Sequence, residues 1–391
     1  MPVILFAVFI DLLGFGIIVP ILPFLTIKYG GDPLMGTALI SIYSLTAFLM
    51  GPIWGRLSDK IGRRPALAFT FFGAALAYIS LGFAESLLML FIARAMSGAT
   101  AGNIGIVMAA MADISEEADR GKAMGKIGAA FGLGFAFGPG IGGVLSSVDK
   151  NGDVNILYAG LLAAFLSFTA MVLTAFFVPE TNPHKIKTHD ITDLLPHWTS
   201  VIRHPGQILL YAMFILTAIG QSISFSIAPF WANKMLNWNA EMVGYMMMLA
   251  GVCVFFLQMW AVGPLFKAIG EVKALMCGVS VHITGCLILI CCEATTLTAI
   301  IGFPLIMGGL TLAFPALNSL VSRRTCKNLQ GTALGISNGF SALGRIAGPV
   351  AAGSVFITNV AAPFYIAIIA AVLVLIWSLV EVKRQTITAT P

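Results

Sequence analysis

Gly55-Arg56-Leu57-Ser58-Asp59-Lys60-Ile61-Gly62-Arg63-Arg64-Pro65 gathers five charges between two long apolar runs. A polar knot in that position marks a membrane surface. Its density of Arg and Lys suits the cytoplasmic face, and Asp59 is the lone anion among four cations. Gly55 and Gly62 permit backbone turns that other residues resist. The frame returns 208 residues later as Gly263-Pro264-Leu265-Phe266-Lys267-Ala268-Ile269-Gly270-Glu271, where Lys267 replaces Asp59 and Glu271 replaces Arg63. The chain therefore reads as a duplicated object whose halves have diverged in charge.

The rest of the composition agrees. Hydrophobic residues make up 58% of the 391, charged residues 10%, and the mean hydropathy is +0.95, against roughly 45–50% apolar in soluble domains. Only helices and closed barrels satisfy every backbone group in lipid, and runs such as 66–84 are continuously apolar rather than alternating. The expected fold is an all-α membrane protein with twelve transmembrane helices in two pseudo-symmetric six-helix bundles. The runs lie near 3–29, 34–56, 65–84, 86–112, 121–147, 155–178, 206–232, 241–263, 272–292, 295–321, 331–358 and 361–380. The first run has no basic residues before it and exceeds the apolar stretch of a secretory signal, so it is expected to remain as a span. The division is 1–178 for the first bundle, 179–205 for a polar linker and 206–391 for the second bundle.

With the N-terminus inside, 17 of the 22 lysines and arginines fall on the side of the Gly55 knot. That places both termini in the cytoplasm of a multi-pass inner-membrane protein. It also explains the net charge of +5 without a nucleic-acid partner. The linker histidines 184, 189, 197 and 204 are irregularly spaced and lack cysteine, which fits an ordinary loop and no metal site. The six cysteines form no C-x-x-C pair and read as small core residues.

Ionisable groups inside the spans carry the functional reading. Asp11 sits in the first run, ahead of Gly14, Gly16, Pro20 and Pro23. An intramembrane carboxylate costs about 2.5–3.5 kcal/mol on insertion scales and is by default a functional group or half of an ion pair. Arg94, about eight residues into the fourth run, must pair, bind substrate or tune an acid, because guanidinium stays charged. Asp11 is a candidate partner at similar depth. In the second half His282 is either a proton or substrate group or a satisfied core histidine, and Arg345 is a further cation within a span. Asp113, followed by Glu116, Glu117 and Asp119, faces the Arg63 and Arg64 side, which reads as a latch that forms in one state or as a solvated loop. Gly98 and Gly102 allow a close helix approach, and so does the series Gly134, Gly138, Pro139, Gly142, Gly143. At an offset of 210, Gly344, Gly348, Pro349 and Gly353 answer four of that series. Phe15, Gln221, Phe225, Asn318 and Asn338 are candidates for a substrate cavity. The chain shows no P-loop, H-E-x-x-H or G-x-S-x-G, so no enzyme activity, ATP use or cofactor is expected, only an ion gradient.

These residues resemble the major facilitator superfamily over nearly the whole chain. Gly55 to Arg64 resembles its signature between the second and third helices, Arg94 to Gly98 its fourth-helix signature, and Gly134 to Gly143 the fifth-helix signature of proton-exchanging exporters. The Asp11 to Pro23 pattern, Ala112-Asp113-Ile114 and Phe314-Pro315-Ala316-Leu317-Asn318 resemble the tetracycline and multidrug antiporters. The resemblance implies a monomeric proton-coupled exporter of amphipathic, drug-like molecules. Asp11, Arg94 and His282 would then take part in proton coupling, and Asp59, Arg63, Arg64 and Asp113 would form a gating relay. Ala77, Val254 and His282 stand where the tetracycline pattern has Asp, His and Asp, which weighs against tetracycline itself. An importer of a metabolite or siderophore, and a receptor or scaffold that transports nothing, are the competing readings.

Overall fold

The computed structural model describes residues 2–114, 120–146, 154–181, 207–325 and 330–389. The linker with its four histidines, the acids Glu116, Glu117 and Asp119, and Cys326 lie outside the described residues. Among those described, the chain forms twelve helical spans. They are α1 (Pro2–Ile18, continuing after a turn as Leu22–Lys28), α2 (Pro33–Ile61), α3 (Arg63–Gly82), α4 (Leu87–Thr100 then Asn103–Asp113), α5 (Arg120–Ser146) and α6 (Leu157–Phe177). The second half adds α7 (Gln207–Leu236), α8 (Ala240–Phe256, a π-helical turn Leu257–Ala261, then Val262–Ile269) and α9 (Glu271–Cys291). It ends with α10 (Thr296–Thr311 then Ala313–Arg324), α11 (Gln330–Phe356) and α12 (Ala362–Ala389). Eleven of the twelve are long and apolar enough to cross a membrane. The exception is α11, whose glycines, serines and Arg345 lower its hydropathy.

Several helices run past the ends of their apolar stretches. Thus α2 continues through Asp59 and Lys60 until Gly62, where φ is +107°, because a helix needs a backbone break to stop and the bilayer edge does not supply one. Asp32 starts the same helix by accepting the Met35 N–H at 2.8 Å. Cys286 is buried and Cys253 half-buried, but Cys277, Cys291 and Cys292 are exposed. The core reading therefore holds for some of the cysteines only. The others lie on the outward side of α9 or at its end.

Contacts divide the chain into two units, Met1–Thr188 with Ala232–Phe255, and His189–Trp231 with Phe256–Pro391. The first unit has two apolar clusters. One joins Ile4, Val8, Leu67, Phe71, Val107 and Met111, and the other joins Ile17, Leu22, Leu39, Tyr78, Leu90 and Ala163. The second unit packs Tyr211, Phe214, Leu275, Leu317, Ile336 and Trp377 together.

The glycine series on α5 explains the first unit's shape. A Cβ at Gly138 would lie 2.7 Å from Gly16 Cα, one at Gly134 2.8 Å from Leu12 Cβ, and one at Gly142 would collide with the Ile17 carbonyl. These three glycines, four residues apart, let α1 and α5 touch backbone to backbone. The adjoining face of α5 receives α8 in the same way. A Cβ at Gly143 would meet the Ala240 carbonyl at 2.8 Å, and one at Gly251 would meet Ala136 Cα at 2.7 Å. Residues 232–255 therefore group with the first unit although they belong to the second repeat. The chain passes between units beside Pro229 in α7 and beside the π-helical turn in α8, two places where regular helical bonding is interrupted.

Gly138→Leu should overpack this seam at a cost of about 1–3 kcal/mol. It should lower the melting temperature and the yield of folded protein, whereas Gly128→Ala, where a Cβ meets nothing within 4 Å, should leave both unchanged. Equal melting of the two variants would refute the seam.

Candidate functional site

Asp11 lies within the Pro2–Ile18 segment of α1 and is 7% exposed. Its two oxygens are held separately: Asn103 Nδ2 donates to Oδ2 at 2.6 Å and Ser167 Oγ donates to Oδ1 at 2.9 Å. Asn103 reaches it because α4 breaks at Ala101 and Gly102, so that Asn103 opens a new helical segment. Both donors are neutral. The carboxyl can gain or lose a proton without breaking an ion pair, an arrangement unlike a structural salt bridge. Neither Asn103 nor Ser167 was singled out from the sequence. The available signal was a polar side chain deep within an otherwise apolar run.

Arg94 is fully buried on α4, and it does not pair with Asp11. Its side chain extends toward α2 and toward Phe15 of α1. There its Nε donates to the Leu39 carbonyl at 3.3 Å, and its guanidinium carbon lies 4.5 Å from the Tyr43 ring centre and 5.5 Å from that of Phe15. Gly98 and Gly102 set this approach, since a Cβ at either would collide with Tyr43 and Thr46 or with Trp54. Trp54 Nε1 then bonds the Ala99 carbonyl at 2.6 Å.

The surface relay assembles around Arg63. Its guanidinium bonds Asp59 at 2.6 Å, Ser58 Oγ at 2.6 Å and Asp113 at 3.2 Å. Arg64 stands outside that set and instead donates to the Ala175 carbonyl. The residue missed here is Glu180, just past the sixth apolar run. Its oxygens accept the Arg63 and Arg64 backbone N–H groups at 2.8 and 3.2 Å and so cap α3, for which Gly62 offers no side chain. Gly62 is required twice, for its positive φ and because a Cβ would strike the Glu180 carboxylate.

The second unit repeats the relay with the signs exchanged. Glu271 opens α9 as Arg63 opens α3, and it pairs with Arg323 near the end of α10 at 2.5 Å, with Ser319 Oγ adding a bond at 3.1 Å. Beside it Arg324 pairs with Glu381. His282 is fully buried; Nδ1 lies 3.0 Å from the Ile306 carbonyl and Nε2 lies 3.7 Å from Cys286 Sγ. Its ring is thus engaged within α9 and α10. Arg345 lies on α11, within the run where the sequence places it, and is exposed there. Of the residues offered for a substrate cavity, Phe15 belongs to the first unit. Gln221, Phe225 and Asn318 are half-buried in the second, where Asn338 is exposed.

Comparison with known proteins agrees with this fold. The sequence profile described as Major Facilitator Superfamily matches residues 4–349 and 236–389. A tetracycline resistance protein, class H, of Pasteurella multocida is 28% identical over 366 residues, covering 92% of this chain and 89% of that protein. Multidrug resistance protein 2 of Bacillus subtilis is 23% identical over 380 residues, covering 95% and 93%. Among solved structures, that of the nucleoside transporter NupG superposes with a TM-score of 0.80 at 12% identity, covering 97% of this chain and 98% of that one.

Glu180→Ala should lower stability by about 0.5–2 kcal/mol, as for other lost helix caps, and Gly62→Ala should lower it further. Thermal melts of the purified protein read both, and an unchanged melt for Glu180→Ala would mean that the cap carries no weight.

Proposed function

Because the chain belongs to the Major Facilitator Superfamily, a family of transporters rather than enzymes, we propose that it is a proton-coupled antiporter that exports amphipathic small organic molecules by alternating access. One observation carries this reading. Asp11 is a carboxyl group buried in a membrane span and held only by the neutral donors Asn103 and Ser167. A structural acid in lipid is balanced by a cation, whereas a group that exchanges protons needs partners that tolerate both of its forms. Asp11 takes a proton from the outer side and releases it to the cytoplasm as substrate leaves. Asn103 and Ser167 keep its orientation through the exchange. The Asp59, Arg63 and Asp113 relay closes in one state and opens in the other. His282, engaged at both ring nitrogens, is assigned to packing rather than to the proton path.

The tetracycline and multidrug resistance relatives support export over import, and they support a bacterial inner-membrane location. Both termini are assigned to the cytoplasm from the distribution of Lys and Arg. The working unit is a monomer in the bilayer that is driven by the proton gradient and needs no cofactor.

In proteoliposomes, Asp11→Asn should abolish substrate movement driven by an imposed pH gradient while leaving folding intact. Ser167→Ala should slow transport without abolishing it, and reversing the gradient should reverse the direction of flow. Undiminished transport by Asp11→Asn would remove that residue, and with it proton coupling through the first span.

A further inference from the structure

Arg94 is the least satisfied charged group in the described spans. Its side chain is wholly buried. A buried guanidinium normally uses its five N–H donors, yet here one bond is made, from Nε to the Leu39 carbonyl at 3.3 Å. Both terminal nitrogens, Nη1 and Nη2, lack a hydrogen-bond partner. The rings of Tyr43 and Phe15 lie against the cation and offset part of the cost of burying it. A ring face does not accept the paired N–H groups along the edge of the fork. The intramembrane acid of the same unit, Asp11, is engaged by Asn103 and Ser167.

We propose that the Nη1 and Nη2 edge of Arg94 recognises the carboxylate of an amphipathic organic anion, so that the transported molecules are organic acids with a flat apolar body. Two parallel N–H groups match the two oxygens of a carboxylate, which a point charge would not do as well. Aromatic side chains adjoin the cation, the surface an apolar body would lie against. Phe15 is 5.0 Å from Tyr43 and 5.6 Å from Phe135, ring centre to ring centre, and together the three form an aromatic wall beside the cation. Phe15 and Tyr43 are each only partly buried. This inference rests on the transport reading given above and narrows its substrate class.

The test is equilibrium binding to the purified full-length chain in lipid nanodiscs, with no pH gradient, measured by calorimetry. Three probes share one ring system: 1-naphthoate, the neutral 1-naphthamide and the cationic 1-naphthylmethylammonium. Naphthoate should bind at least about tenfold more tightly than the amide, as a charge-assisted paired contact requires, and the cation should bind weakest. Arg94→Gln, which removes the buried charge and keeps a polar amide, should bring naphthoate down to the level of the amide. Arg94→Lys should retain a reduced anion preference. Phe15→Leu should weaken all three probes together and leave their order unchanged. Failure of naphthoate to bind, equal binding of naphthoate and amide, or an anion preference that survives in folded Arg94→Gln each overturns the proposal. If naphthoate fails while Asp11-dependent export of a neutral or cationic compound stands, the anion assignment alone falls. If naphthoate binds but gradient-driven movement fails, the proton-coupled reading falls instead.

Discussion

No water reaches the middle of a bilayer, so every polar group on a spanning helix must find its partner inside the protein. That constraint orders the whole molecule. It makes the chain helical, and it requires Asp11 to collect Asn103 and Ser167 from two other helices. It also makes Arg94 conspicuous, because its guanidinium meets the requirement at one nitrogen of three.

Close packing supplies the second condition. Apolar side chains lose nothing by facing lipid, so helices in a membrane associate where their backbones can touch. The glycines of α5 let α1 approach on one face and α8 on the next. Because the α8 contact is as intimate as the α1 contact, residues 232–255 join the unit of the other repeat. Ancestry by duplication and grouping by contact thus divide the chain at different points.

Much of this was legible in the residues. Long apolar runs marked the spans, and the depth of Asp11 and Arg94 singled both out as groups in need of partners. The repeated Gly55 and Gly263 frames exposed the duplication. The unread part required knowledge of helix rotation. Asn103 and Ser167 are ordinary polar residues until α4 and α6 turn them toward Asp11, and the break at Ala101 and Gly102 that presents Asn103 leaves no periodic trace. Depth alone suggested Arg94 as the partner of Asp11, but depth does not fix side-chain contacts, and Arg94 instead meets the Leu39 carbonyl and the Tyr43 and Phe15 rings. Glu180 was read as the start of a linker, because capping a helix 117 residues earlier in the chain is a tertiary event. The ends of α2, α8 and α12 ran longer than their apolar runs because polarity ends a membrane span without ending a helix.

The exchanged signs of the two relays have an energetic consequence. A helix presents positive partial charge at its start and negative at its end, worth about 0.3–1 kcal/mol to a suitably placed ion. In the second unit Glu271 stands at a start and Arg323 near an end, so the peptide dipoles reinforce both. In the first unit Arg63 stands at a start and Asp113 at an end, and the dipoles oppose both, with Glu180 restoring only part of the balance. Duplication left two clasps of one design, and reversing the polarity of one set the helix dipoles for one pair and against the other.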